Sequence, residues 1–381
     1  MSQTYKLFFA TNRGHEGSNR WNPKRYGPNP SKDGIDNLRF GEVEIKADLK
    51  KIKTYLKKDM GISGTGDGIE LSDYLLQQTK TNSKITAYKE KINPTDVEKD
   101  LEEHCFGSIG MFENLKKLMK TNEMDLLIYI HGFNVEWETA VSSALSLQEM
   151  LKYQTKNKDL MVFLFSWPSD GNVLPPLFAY KSDRIDARGS GESFGRGFLK
   201  MRDYLKKLRD KKNSKEELCF QKLHLLCHSM GNYVLESSLQ KIIDFNEGKN
   251  LPRIFDEIFM CAPDVDADVL EKEKPMGRIS ELAKRITIYH NSGDLPMIIS
   301  DYTKGNPDRL GHQGSSRPIL TDNKINQVNC TPIVEGTLEH SYYLIGHTNK
   351  DIKENIDGLA NNNPSRKRKM ENILGNSFIL T

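Results

Sequence analysis

The sequence predicts an α/β fold with a mainly parallel central sheet flanked by helices. Three observations carry this. Apolar runs at 126–130, 160–165 and 222–227 are nearly continuous, as strands buried on both faces require. Apolar residues then recur at helical spacing over 136–151, 194–208 and from Tyr233 to Ile243. Strands alternating with helices build parallel sheets, because each parallel crossover needs a connection long enough to return.

In chain order, Tyr5 to Ala10 reads as a first strand and Arg39 to Ile45 as a second, with Gly27-Pro28-Asn29-Pro30 as a loop between them. Residues 46–59 form an amphipathic surface helix whose lysines make a solvated face. Residues 60–105 are charged and glycine-punctuated and read as an insertion. A helix from Ile109 to Met119 leads into the regular alternation. Residues 168–192 hold Pro168, Pro175, Pro176 and several glycines, and 171–192 is a candidate lid. Strands follow at Ile254 to Met260, Arg285 to His290 and Ile325 to Val334. One domain over 1–350 and a polar tail over 351–381 are expected, with Ser365-Arg366-Lys367-Arg368-Lys369 solvated.

Composition removes several classes. Lys+Arg 55 against Asp+Glu 52 gives a net charge of +3, too balanced for a dedicated nucleic-acid surface. The five cysteines, at 105, 219, 227, 261 and 330, are odd in number and include no C-x-x-C pair. That is the usage of a reducing compartment, so a cytoplasmic protein without disulfides or a zinc site is expected. Leu7 to Ala10 is too short for a signal-peptide core, and no run of about 18 apolar residues marks a transmembrane helix. Asp264-Val265-Asp266-Ala267-Asp268 begins like a calcium loop, but Val269 replaces the glycine and Pro275 the glutamate. No phosphate-cradling or dinucleotide fingerprint occurs, and no cofactor is expected.

The chemistry centres on Lys222 to Tyr233. An apolar strand runs into Ser229, small residues flank it, and a helical pattern starts at once. Strand, sharp turn and helix is the context of a nucleophile elbow. Gly231 meets the need for a small residue two after the serine, and Cys227 stands where glycine is commoner. Gly191-Glu192-Ser193-Phe194-Gly195 matches G-x-S-x-G letter for letter, yet no apolar run precedes it. Ser193 is placed instead at the start of a surface helix.

A serine nucleophile needs a base and a third group that fixes the base's tautomer. In the order serine, acid, histidine, the base lies after Ser229, at His290, His312, His340 or His347. His340, after the last strand, is preferred and His347 is the alternative. Asp294 and Asp264 both follow strand ends. Asp294 is preferred because the acid commonly follows the penultimate strand, and Asp264 is the alternative. The oxyanion hole is expected from the Met230 and Phe133 N–H groups, the latter in His131-Gly132-Phe133-Asn134, with His131 shaping that loop.

These segments, together with Phe8-Phe9-Ala10-Thr11-Asn12-Arg13, Phe165-Ser166-Trp167-Pro168-Ser169 and Ala262-Pro263-Asp264-Val265-Asp266, resemble the α/β-hydrolase family named domain of unknown function 900. They are similar, more distantly, to lipases and esterases. The resemblance runs from about residue 5 to 350 outside 60–105, and it implies an α/β-hydrolase fold with a Ser229, Asp294, His340 triad. The expected activity is a serine hydrolase cleaving a carboxylic ester or thioester, with a small-molecule or lipid ester as partner. The competing readings are a catalytically idle binding module and an acyltransferase or amidase using the same site.

Overall fold

The computed structural model describes residues 2–89, 107–154, 159–169, 176–209, 220–247, 249–297, 300, 308–336, 339–372 and 376–381. Its strands are β1 (Ser2–Thr11), β2 (Arg13–Glu16), β3 (Arg25–Pro30), β4 (Arg39–Asp48), β5 (Lys84–Ala87), β6 (Asp125–Ile130), β7 (Leu160–Ser166), β8 (Leu223–His228), β9 (Phe255–Cys261), β10 (Ala283–His290), β11 (Ile325–Asn329), β12 (Arg368–Asn372) and β13 (Ser377–Leu380). The main helices are α1 (Leu49–Leu56), α2 (Gly68–Asn82), α3 (Gly107–Asn122), α4 (Trp137–Gln154), α5 (Pro176–Arg209), α6 (Gly231–Phe245) and α7 (Gly346–Ile356).

Eleven strands form one sheet in the order β12-β13-β11-β10-β9-β8-β6-β7-β1-β4-β5, and β2 with β3 makes a separate ribbon. The pairings from β13 through β11, β10, β9, β8, β6 and β7 to β1 are parallel. Among the described residues, only the edge pairings β1–β4, β4–β5 and β12–β13 of this sheet are antiparallel. The strand alternation sorts side chains onto two cores. Leu126, Ile128 and Ile130 face a core shared with α3, α5 and α6. Leu127 and Tyr129 face the other, shared with α2, α4 and α7. Because β6, β8, β9 and β10 are parallel, their C-terminal ends open on one edge, where α/β sheets gather their sites.

Several expectations are corrected. Residues 60–89 are integral to the fold: α2 packs Leu71 and Leu75 into the core and β5 extends the sheet, while 90–106 lie outside the described residues. The segment expected as loop and lid is helical from Pro176 onward, and 171–175 lie outside the described residues. Proline is tolerated at a first helical position, where its missing N–H costs no bond. Gly191, one of the glycines that suggested a loop, lets α5 approach α6: a Cβ there would lie 2.5 Å from the Ser237 Cβ and 2.7 Å from the Val234 carbonyl oxygen. Residues 27–30, expected as loop, belong to β3, which pairs with β2.

The polar tail is also corrected. Helix α7 and strands β12 and β13 occupy it, and Arg366 and Arg368 are buried. Arg366 Nη2 donates to Asp351 Oδ1 at 2.6 Å, Arg368 pairs with the same carboxylate, and Tyr289 donates to Asp351 Oδ2 at 2.8 Å. The basic run therefore enters the protein because a buried carboxylate receives its two arginines. Cys105, Cys219 and Gly248 lie outside the described residues; Cys227, Cys261 and Cys330 are buried free thiols.

Candidate active site

Ser229 sits between β8 and α6 with φ of 52°. That left-handed value is rare for a residue with a side chain, and surrounding bonds must enforce it. The Ser229 N–H donates to the Cys261 carbonyl at 2.9 Å, and the Ser229 carbonyl accepts the Asp264 N–H at 3.2 Å. Asn232 Nδ2 donates to the Cys227 and Ser229 carbonyls at 3.0 and 3.1 Å. A Cβ at position 231 would lie 2.7 Å from the Ile130 and His131 carbonyl oxygens, so only glycine lets α6 start here. At Gly132 a Cβ would stand 2.8 Å from the Ser229 Cβ, which measures how closely the loop after β6 approaches the serine. The elbow closes with Cys227 fully buried in the glycine's place.

Beyond β10 the chain turns, with Asn291 Oδ1 accepting the Gly293 N–H at 2.9 Å, and Asp294 becomes fully buried. Its Oδ2 lies 2.7 Å from His340 Nδ1. His340 is held by His228, whose Nε2 donates to the His340 carbonyl at 3.1 Å; the two rings are 4.7 Å apart. The residue before the serine thus seats the histidine. Burial, and then the neighbouring His340, hold His228 well below the usual histidine range, so it stays neutral and fit for this bond. Among the described residues no hydrogen bond joins Ser229 Oγ to His340.

The alternatives fall elsewhere. The Asp264 carboxylate accepts the Tyr180 hydroxyl at 2.7 Å and the Ser300 hydroxyl at 2.8 Å, with Arg309 Nε at 3.6 Å. It ties α5 to the loop after β9. The His347 ring lies in α7 against Gly64, where a Cβ would be 2.7 Å from its Nδ1. Among the described residues no hydrogen bond joins either of them to the Asp294–His340 pair. Ser193 is buried within α5 and donates to the Ser190 carbonyl at 2.9 Å. It is not at a helix start but lies inside α5, between Gly191 and Gly195, which make the close approach to α6.

The loop after β6 is built from buried polar contacts. Asn134, with φ of 58°, donates its N–H to Asp183 Oδ2 at 3.2 Å, and Val135 donates to Ser169 Oγ at 3.1 Å. Among the described residues the N–H groups of Phe133 and Met230 have no acceptor, while those of Asn134, Val135, Ser229 and Asn232 are all engaged. Met230 immediately precedes α6, whose N-terminus favours negative charge.

Arg13 is the residue that sequence reasoning quoted without a role. It is 1% exposed and donates to the Val135 carbonyl at 2.6 Å, the Ser169 and Gly27 carbonyls at 3.2 Å, and Ser166 Oγ at 2.9 Å. It also lies 3.4 Å from His131 Nε2. His131 stacks on Trp167 at 5.2 Å and accepts the Trp167 N–H at 3.2 Å, while the indole donates to the His131 carbonyl at 2.9 Å. Burial and then Arg13 push the His131 imidazole down to about 3. It is a neutral acceptor that shapes the loop. Asp183, His228 and Asn232 were likewise assigned no function; their only sequence signal was their place in or near the quoted segments.

Among the described residues no cluster of His, Cys, Asp or Glu is placed to hold a metal, and no helix is long and apolar enough to cross a membrane. The family model for alpha/beta hydrolases of unknown function (DUF900) matches residues 111–353, more than half the chain, from α3 through the elbow to α7. The chain belongs to this alpha/beta hydrolase family. The matched span contains Ser229, Asp294 and His340, while Arg13 lies before it. Among solved structures it is similar to EstE1, a thermophilic and thermostable carboxylesterase cloned from a metagenomic library. That similarity has 10% sequence identity over 61% of this chain and 78% of the other, with a TM-score of 0.29. No curated protein matches.

Proposed function

We propose that this alpha/beta hydrolase is a serine hydrolase that cleaves carboxylic esters or thioesters, lipid esters among them. The observation that carries the reading is the 2.7 Å contact between Asp294 and His340, on a histidine bonded through its carbonyl to the residue before Ser229. With Nδ1–H donated to the carboxylate, Nε2 of His340 is the free lone pair that a general base needs.

In this mechanism His340 takes the Ser229 hydroxyl proton as Oγ adds to the substrate carbonyl. The oxyanion accepts the Phe133 and Met230 N–H groups. Collapse of the tetrahedral intermediate breaks the bond to the alcohol or thiol, which leaves with the proton from His340. Water then repeats the sequence on the acyl-enzyme: His340 removes its proton, and Ser229 regains one as the carboxylic acid departs. Each oxyanion donor typically contributes about 3 kcal/mol to lowering the barrier. The Ser229–His340 bond is made as substrate binds, since catalytic hydrogen bonds often tighten only in the substrate complex.

A panel of p-nitrophenyl esters from acetate to palmitate tests this. Saturable hydrolysis that is lost on reaction with a fluorophosphonate is expected. Absence of turnover across the panel and across matching thioesters, with no fluorophosphonate labelling, would overturn the reading.

A further inference from the structure

A cavity of about 300 Å³ opens at the N-terminal edge of the sheet, opposite Ser229. Leu126, Leu223, Phe255 and Lys284, each at or beside the start of a parallel strand, line it together with α3 and the end of α5. A strand of six residues separates this edge from the elbow along β8, roughly 20 Å. The cavity has two kinds of wall. Its inner wall is apolar and includes Leu115, Met119 and Met201; its charged residues are Lys116, Lys222, Arg253, Lys284 and Asp256, with Lys222 and Lys284 paired to Asp256 and Lys116 paired to Glu113 beside the mouth, so cations still outnumber carboxylates.

A second, smaller cavity of about 60 Å³ continues it beneath the sheet. The two share Phe112, Leu115, Leu126 and Met201. None of the side chains lining the second carries a charge, and Phe163, Phe165 and Phe194 are among them. From Leu223 to the level of Phe165 the path covers four strand steps, through the register Leu126↔Leu223 and Ile130↔Phe165, or about 13 Å.

We propose that the two cavities form one binding site for a long-chain carboxylate anion. The carboxylate would lie among the cations of the mouth and the alkyl chain along the sheet face between α3 and α5. The excess of cations favours an anionic head, and the uncharged inner cavity leaves a second polar group without a partner. A narrow apolar channel behind a cationic mouth selects a single alkyl chain in preference to a broad protein surface. The site is separate from Ser229 and does not depend on the reaction proposed there.

The test is a fluorescence titration of the full chain with a dansyl-labelled undecanoate, followed by displacement. One saturable site is expected. Dodecanoate should displace the dansyl ligand at least tenfold better than octanoate, since each buried methylene strengthens binding about fourfold. Dodecyltrimethylammonium should fail to displace it. Met201→Trp, which fills the shared segment, and the double variant Lys116→Glu/Arg253→Glu should each weaken binding at least tenfold, with circular dichroism confirming that each is folded. If Met201→Trp does not fold, the double charge variant decides alone. Blocking Ser229 with a fluorophosphonate should leave binding unchanged. Absence of a saturable site, unchanged affinity in the folded variants, displacement by the cation, or loss of binding after the Ser229 block would each overturn the proposal.

Discussion

Asp294 and His340 come together from positions 46 residues apart, at 2.7 Å between Oδ2 and Nδ1. Asp294 is fully buried at a strand end, and this bond selects the tautomer in which Nε2 is the acceptor. Asp264 also follows a strand, but its carboxylate is occupied by Tyr180 and Ser300. The two acids can therefore be separated by substitution. Asp294→Asn should lower kcat by about 10⁴, the loss expected when the wrong tautomer is held. Asp264→Asn should lower the unfolding midpoint and leave kcat within about tenfold, because one buried, charge-assisted hydrogen bond is typically worth about 1.5–3 kcal/mol of stability. Steady-state kinetics beside thermal melts check both. A larger kcat loss from Asp264→Asn would reverse the assignment.

Arg13 acts at one remove. It reaches Val135, Ser169 and His131 and so holds the loop that carries the Phe133 N–H. A lysine keeps the charge but has three donors on one nitrogen and cannot span these acceptors. Arg13→Lys should lower kcat by about 10²-fold with KM changed less than about threefold, on the scale of losing one oxyanion donor. A variant with lowered stability and unchanged kcat would make Arg13 structural only.

The letter-perfect G-x-S-x-G has a packing function. Gly191→Ala would set a Cβ 2.5 Å from that of Ser237, and overpacking of this kind costs about 1–3 kcal/mol. The higher helix propensity of alanine, worth about 1 kcal/mol, works in the opposite direction. Net destabilisation in urea unfolding is expected, with esterase activity retained in the folded fraction. A neutral or stabilising substitution would contradict the close α5–α6 contact.

How legible each part was follows from where its partners lie in the chain. Strands β6, β7 and β8 announce themselves, since burial on both faces leaves almost no polar residue in them. The elbow was recognisable by context rather than letters, because a strand must deliver the serine to the turn. Arg366 and Arg368 were not legible as buried. A basic run looks solvated unless its carboxylate is known, and Asp351 sits on a different element. The glycines of α5 signal a loop by composition, and only the facing α6 reveals why Gly191 and Gly195 are small. Arg13 was unreadable for the same reason: its acceptors are mainly backbone carbonyls, which no side-chain pattern records.

Buried neutral histidine also sets a pH response. The His131 imidazole is pushed down to about 3 by burial and by Arg13, whereas an unfolded histidine titrates near 6.5. Between these values the unfolded chain binds a proton that the folded chain does not, so stability falls as pH drops below about 6.5. The contribution of one such group is up to about 1.4 kcal/mol per pH unit. His131→Gln should be less stable than wild type at neutral pH, yet lose less per unit of acidification, in melts from pH 7 to 5. Equal slopes would contradict a neutral buried His131.

The central claim is that Ser229 is the nucleophile, on a backbone held at φ of 52° directly after His228, which bonds the His340 carbonyl. Labelling with a fluorophosphonate followed by peptide mapping tests it most directly. The account predicts the adduct on Ser229, loss of labelling and ester turnover in Ser229→Ala, and near wild-type labelling in Ser193→Ala. An adduct on another residue, or full activity in Ser229→Ala, would contradict it.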